Sequence, residues 1–250
     1  MQFWMGVALL ALMGASLGLL GGGGSILAVP IFVYVLGAEP HAAIATSLVL
    51  VGATALVAAL LHSRRGCVDA RAGIIFALLA SPASLLGAWA TRFVPGRTLL
   101  FVFGLLMIAV SLLMWRGRRE PEAGALRRGW PVLAASAAAV GFLTGFLGIG
   151  GGFLIVPALV LVMQMPMKRA VGTSLLVIAL NSAVALYGHR ASLQLDTAIL
   201  AAGLAALAGT FAGVEVARRI EPGLLRRAFA VFVLVLGVWM AWRNLPVSLF

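Results

Sequence analysis

Apolar residues in this chain run in long blocks, and short arginine-bearing clusters separate the blocks rather than interleave with them. The apolar residues are not confined to one face of anything, so the pattern predicts helices that are apolar all round. A hydrocarbon core about 30 Å thick takes about 20 helical residues at about 1.5 Å each. Six blocks approach that length, at 42–61, 72–92, 99–115, 170–187, 197–217 and 224–242. Two more, 3–36 and 131–163, are too long for one crossing, and glycines break them both. The breaks are Gly21, Gly22, Gly23 and Gly24 in the first and Gly148, Gly150, Gly151 and Gly152 in the second, with Pro30 and Pro157 a few residues on. The first block lacks the basic start of a signal peptide and its counterpart recurs in mid-chain, so it is expected to remain in the fold.

A shift of 127 residues superimposes the two halves without a gap. It pairs Gly21, Gly23, Gly24 and Pro30 with Gly148, Gly150, Gly151 and Pro157, and Thr46, Ser47, His62 and Asp69 with Thr173, Ser174, His189 and Asp196. Between residues 14 and 116 there are 25 identities in 103 positions, against about ten expected from the biased composition, which indicates an internal duplication. The expected organisation is a first repeat at 1–115, an arginine-rich linker at 116–129 and a second repeat at 130–250. Four crossings per repeat would make the copies parallel and divide the basic residues 10 to 8, which favours neither side. If each glycine-broken block returns to its starting side, the copies are inverted and the basic residues divide 14 to 4. The second arrangement is the expected one, with the arginine face cytoplasmic and both termini outside. The fold class is thus an all-α integral membrane protein of about eight spans, with broken or re-entrant helices raising the membrane segments to ten.

Composition narrows the function. With 63% apolar and 10% charged residues, the 250-residue chain has no polar surface for a water-soluble catalyst. The net charge of +11 comes from residues at block ends, where anionic lipid headgroups favour them, and no polar basic stripe suggests nucleic acid. A single Cys67, read as a free loop thiol, excludes an internal disulfide and multi-cysteine metal motifs.

The glycine runs are the strongest local signal. Each glycine forfeits about 1 kcal/mol of helix stability against alanine, and the backbone it frees must find partners in lipid. A broken helix facing a cavity answers this: unpaired N–H groups near Ser25 and Gly152 would point at an anion, two such ends meeting near the midplane. Glycines that merely let helices approach are the plainer alternative. Thr46 with Ser47 and Thr173 with Ser174 are hydroxyl pairs suited either to donate to an oxyanion or to join helices. Asn181 lies two turns beyond Ser174, with Thr54 as its match, and could line the same path. His62 and His189 offer a proton relay but read more simply as helix-end residues. Glu215, the one acid well inside a block, has Arg218 and Arg219 at helical spacing as partners. Trp115 and Trp242 read as interfacial anchors, and Met163, Met165 and Met167 as packing. Catalytic spacings and nucleotide-binding loops are missing from the sequence, and neither a metal nor a cofactor is expected.

The segments GLLGGGGSILAVPIFVYVLG and GFLGIGGGFLIVPALVLVMQMP, followed by AIATSL and AVGTSL respectively, resemble the TauE/SafE sulfite exporters, also called toluene-sulfonate uptake permeases. The resemblance spans nearly the whole chain. It implies a multi-pass transporter of the bacterial inner membrane that carries sulfite, thiosulfate or organosulfonates, and it fixes neither import nor export. The first motif departs from the commoner GxGGG form by ending on Ser25. The expected site is therefore the backbone at Gly21, Gly22, Gly23, Gly24, Gly148, Gly150, Gly151 and Gly152 with the side chains of Ser25, Thr46, Ser47, Thr173, Ser174 and Asn181. The expected mechanism is secondary transport by alternating access, driven by an ion gradient, proton or sodium, or by the substrate's own gradient. The expected partners are a small anion, lipid and, in a homo-oligomer, other copies of the chain. A non-transporting assembly factor, an intramembrane enzyme and an anion channel are the alternatives.

Overall fold

The computed structural model describes residues 2–37, 40–90, 93–94, 96–116, 130–147, 152–189 and 197–245, and among these every regular element is helical. The order is α1 (Gln2–Leu20), α2 (Ser25–Pro30), α3 (Pro40–Ser63), α4 (Ala70–Ala90), α5 (Gly96–Arg116), α6 (Trp130–Leu147), α7 (Gly152–Pro157), α8 (Met167–His189), α9 (Thr197–Arg219) and α10 (Pro222–Arg243). The short α2 and α7 each continue into a π-helical turn, Ile31–Val35 and Ala158–Val162. Both turns follow a proline, which supplies no N–H and crowds the preceding turn. The wider helix re-pairs the backbone one residue further back, Leu36 N–H to Ile31 O at 3.1 Å and Met163 N–H to Ala158 O at 3.1 Å.

Four helices are long and apolar enough to cross a bilayer, at Ala45–Ser63, Ala70–Gly87, Met167–Leu186 and Pro222–Arg243. Shorter apolar stretches at Trp4–Leu20, Leu100–Arg116, Pro131–Thr144 and Gly152–Val162 accompany them. The chain is a multi-pass membrane protein. Large apolar side chains such as Leu78, Leu85, Trp89, Leu204 and Trp242 point outward from the helices, as lipid-facing residues must.

After the first glycine break the chain turns back along α1. A Cβ on Gly24 would stand 2.7 Å from the Leu17 nitrogen, and one on Gly6, near the start of α1, would stand 2.5 Å from Leu36 Cδ2. The 11 residues from Ser25 to Val35 rise about 16 Å, half of a hydrocarbon core, so this limb does not cross it alone.

The main contacts all join a helix before the linker to one after it: α1 to α9, α4 to α6, α3 to α8 and α5 to α10. Backbone meets backbone at three of these joints, Gly104 of α5 lying against the Ala241 nitrogen and the Gly237 carbonyl of α10 at one of them. Gly14 and Gly18 of α1 lie against the Ala206 and Thr210 carbonyls of α9, while Gly209 and Gly213 of α9 lie against the Ala11 and Ala15 carbonyls of α1. Gly141 and Gly87 serve α6 and α4 in the same way, against Ala80 and Phe142. Fully buried Phe76, Phe103, Phe153 and Phe229 fill the core, Phe103 meeting Phe153 edge to face at 5.1 Å.

Candidate functional site

The site begins where α1 stops. Gly21 adopts φ +79°, a conformation that favours glycine, and its N–H closes on Leu17 O at 2.8 Å. Its carbonyl points across to the other half of the chain, where Ser174 of α8 donates its hydroxyl to Gly21 O at 2.7 Å and also lies 2.8 Å from Val171 O. Ser25, the first residue of α2, donates to Gly22 O at 2.8 Å. Gly22 packs on Gly152: a Cβ there would stand 2.6 Å from the Gly152 carbonyl carbon, and one on Gly152 would stand 2.8 Å from Ser25 Oγ. Gly23 faces the Phe232 ring of α10, its Cβ position 2.7 Å from Cε1. Gly22 and Ser25 of the first break are thus in contact with Gly152, at the end of the second and far off in sequence.

Polarity at the first break is uneven. The Gly21 and Gly22 carbonyls each hold a hydroxyl, whereas among the described residues no acceptor meets the N–H groups of Gly22 and Gly23. All four glycines from Gly21 to Gly24 are buried.

Gly21, Gly22, Gly24, Ser25, Gly152 and Ser174 therefore form one cluster, with Gly23 at its α10 edge. Gly148, Gly150 and Gly151 lie outside the described residues. Thr173, fully buried, turns away from its neighbour Ser174 and accepts the Asp69 N–H at 2.9 Å. Asp69 in turn caps α4 by accepting Ala72 N–H at 2.9 Å, a structural duty. Thr46 and Ser47 are buried on the matching stretch of α3. Asn181 is half-buried and accepts the Ser81 hydroxyl of α4 at 3.3 Å, while Thr54 donates to Leu50 O within its own helix. Of these, Thr173 and Asn181 link α8 to the α4 side, while Thr54 bonds within α3. His62 is buried, its Nε2 3.3 Å from the Gly18 carbonyl. Val171 and Phe232, both part of the cluster's wall, were missed in the sequence; an apolar residue in an apolar helix carries no signal of its own.

An all-helical membrane protein built around two broken helices in mutual contact has the architecture of a transporter rather than of a soluble or single-span protein. Residues 6–240 match the family model described as "Sulfite exporter TauE/SafE". The chain belongs to that family. A "Probable membrane transporter protein" of Xylella fastidiosa (strain 9a5c) is 38% identical over 241 residues, covering 93% of this chain and 92% of that protein. "Probable membrane transporter protein YunE" of Bacillus subtilis (strain 168) is 29% identical across 98% of this chain and 99% of its own. A Methanocaldococcus jannaschii relative, "Probable membrane transporter protein MJ0441", is 32% identical over 118 residues, 44% of each chain. No solved structure matches the chain.

Proposed function

We propose that this chain is a secondary transporter of a small sulfur-containing anion, sulfite, thiosulfate or an organosulfonate, in the bacterial inner membrane. Its two halves, 1–115 and 130–250 about the linker 116–129, act as inverted repeats that rock around the glycine breaks by alternating access. The observation that carries the reading is the polarity of the first break, where, among the described residues, the Gly21 and Gly22 carbonyls are each paired with a hydroxyl and the Gly22 and Gly23 N–H groups meet no acceptor. In lipid a freed donor calls for an acceptor, and an anion arriving between Gly22, Gly23 and the second break supplies one. A cation site would need the reverse, free carbonyls and paired N–H groups.

Inversion is supported by the return of the first broken limb toward the start of α1, which leaves three full crossings, α3, α4 and α5, in the first half. It is also supported by reciprocal packing, in which α1 meets α9 as α6 meets α4. An ion gradient, proton or sodium, or the substrate's own gradient drives transport, and its net direction follows the gradients imposed. The test is uptake into proteoliposomes of sulfite, thiosulfate, sulfate and alkyl sulfonates. Saturable uptake of a sulfur oxyanion is expected. Flux that rises linearly with concentration points to a channel, and no flux of any of them refutes the proposal.

A further inference from the structure

A cavity of about 160 Å³ opens at the arginine-rich end of the molecule. That is room for on the order of ten waters. His62, Arg65 and Cys67 line it from the end of α3 and the turn that follows, Lys168 and Val171 from the start of α8, and Arg218 from the end of α9. The α3 turn is held firmly: Gly66 adopts φ +66° and Cys67 N–H reaches back to His62 O at 3.0 Å, the left-handed glycine cap of a helix. The cavity's inner wall reaches the glycine break. A Cβ on Gly21 would stand 2.8 Å from Val171 Cα, and His62 contacts Gly18 O.

Its rim is cationic. Arg65 pairs with Glu215 at 3.2 Å, Arg218 pairs with the same carboxylate, and Lys168 Nζ donates to the Arg218 carbonyl at 3.2 Å. Three cations against one carboxylate leave a net charge of about +2 before Arg219, 3.5 Å from Glu215, is added. An ammonium carries three donors and a guanidinium five, so each rim cation keeps donors for a ligand. The matched positions of the other half lack this charge: a shift of 127 takes Arg65 to Ser192, Lys168 to His41 and Arg218 to Thr91.

We infer that this cavity, at the arginine-rich face, is an anion-capture vestibule that draws a small divalent oxyanion toward the glycine breaks. The inference rests on the transporter reading and adds to it a second, peripheral anion site and an asymmetry between the two faces. The same cations suit a lipid phosphate, so the test separates the two sources.

Cys67 is the single cysteine of the chain, so thiol labelling reads the cavity's potential without any transport assay. The full-length protein in phosphatidylcholine nanodiscs is labelled with an anionic (sulfonatoethyl) and a cationic (trimethylammonioethyl) methanethiosulfonate. Two net charges taken at one Debye length, about 8 Å at physiological ionic strength, favour the anionic reagent about threefold over the ratio seen with a free small thiol. Sulfate, inert toward the reagents, is expected to slow labelling more than chloride at equal ionic strength. Lys168→Gln lowers the ratio and weakens the sulfate effect, and Glu215→Gln raises the ratio; Lys168→Met serves if Lys168→Gln fails to fold, and the paired Arg65→Gln, Glu215→Gln variant, which keeps the net charge, should leave the ratio unchanged. A ratio equal to that of the free thiol, or no advantage of sulfate over chloride, overturns the vestibule. Protection by phosphatidylglycerol but not by sulfate also overturns it, in favour of a lipid site. Impermeant reagent should reach Cys67 in everted vesicles and not in right-side-out ones; labelling in right-side-out vesicles alone overturns the assigned face. Labelling as expected with no oxyanion uptake overturns the transporter reading while the anion site stands, and uptake with no labelling signature does the reverse.

Discussion

Gly22→Ala tests whether the two glycine breaks work as a pair in contact. The added Cβ would lie 2.6 Å from the Gly152 carbonyl carbon and 3.1 Å from the Phe153 nitrogen, and both are backbone atoms that cannot rotate aside. Ordinary contact begins at 3.4 Å and the Gly152 carbonyl oxygen is nearer than its carbon, so the two segments must part by at least about 0.8 Å. If the whole first break moves, the hydrogen bond from Ser174 to Gly21, now 2.7 Å, stretches to the outer limit of hydrogen bonding. Overpacking costs about 1–3 kcal/mol and the weakened bond about 0.5–1.5 kcal/mol, so the variant should lose on the order of 3 kcal/mol. Gly23→Ala is the control. Its Cβ meets the Phe232 ring, a side chain that can turn or be trimmed, so it should cost less and be relieved by Phe232→Leu. Equilibrium unfolding in mixed micelles gives the stabilities, and uptake into proteoliposomes gives the activity. Gly22→Ala should be the worse variant by both measures. Wild-type unfolding and uptake for Gly22→Ala, or a Gly23→Ala defect that is larger and not relieved by Phe232→Leu, would refute the contact as the constraint.

Ser174→Ala leaves the buried Gly21 carbonyl without its donor and should cost about 1–3 kcal/mol, whereas Ser174→Thr keeps the hydroxyl and should cost less; unfolding midpoints compare them. Gly14→Ala and Gly209→Ala each force α1 and α9 apart, so the second substitution meets a gap the first has opened, and the pair should destabilise by clearly less than the sum of the two; strict additivity in a double-mutant cycle would show that the helices do not separate as a unit. A reporter fused after Phe250 should be active outside the cytoplasm, and a cytoplasmic reporter would remove the inverted arrangement.

The helices were legible from the apolar blocks because a bilayer leaves the backbone little choice but to pair within each segment. The block at 42–61 became α3 at Pro40–Ser63, and that at 224–242 became α10 at Pro222–Arg243. The helices run slightly past the blocks because hydropathy marks where lipid ends, while helical pairing continues into the headgroup region. Ten segments were expected and ten helices are described; the turn-back of the first broken limb was left open between a hairpin and two crossings. The helical part of that limb, 11 residues, is about half the length of a crossing, which favours the hairpin.

Side-chain partners were legible only where they are local. Glu215 was paired in advance with Arg218 and Arg219, at three and four residues' spacing, but its third partner, Arg65, lies 150 residues away and no periodicity points to it. The hydroxyl pair Thr173 and Ser174 shows the same limit more sharply. Adjacent helical residues point about 100° apart, so the two cannot serve one ligand from one face. One holds the start of α4 through Asp69, and the other holds the carbonyl of Gly21. Reading the pair as two oxyanion donors assigned both hydroxyl hydrogens to a ligand. The structure places Ser174 on a carbonyl that the glycine break had freed, that of Gly21. On the proposed anion reading, such a hydroxyl would favour the anion without touching it, by occupying an acceptor that a neighbouring N–H would otherwise use.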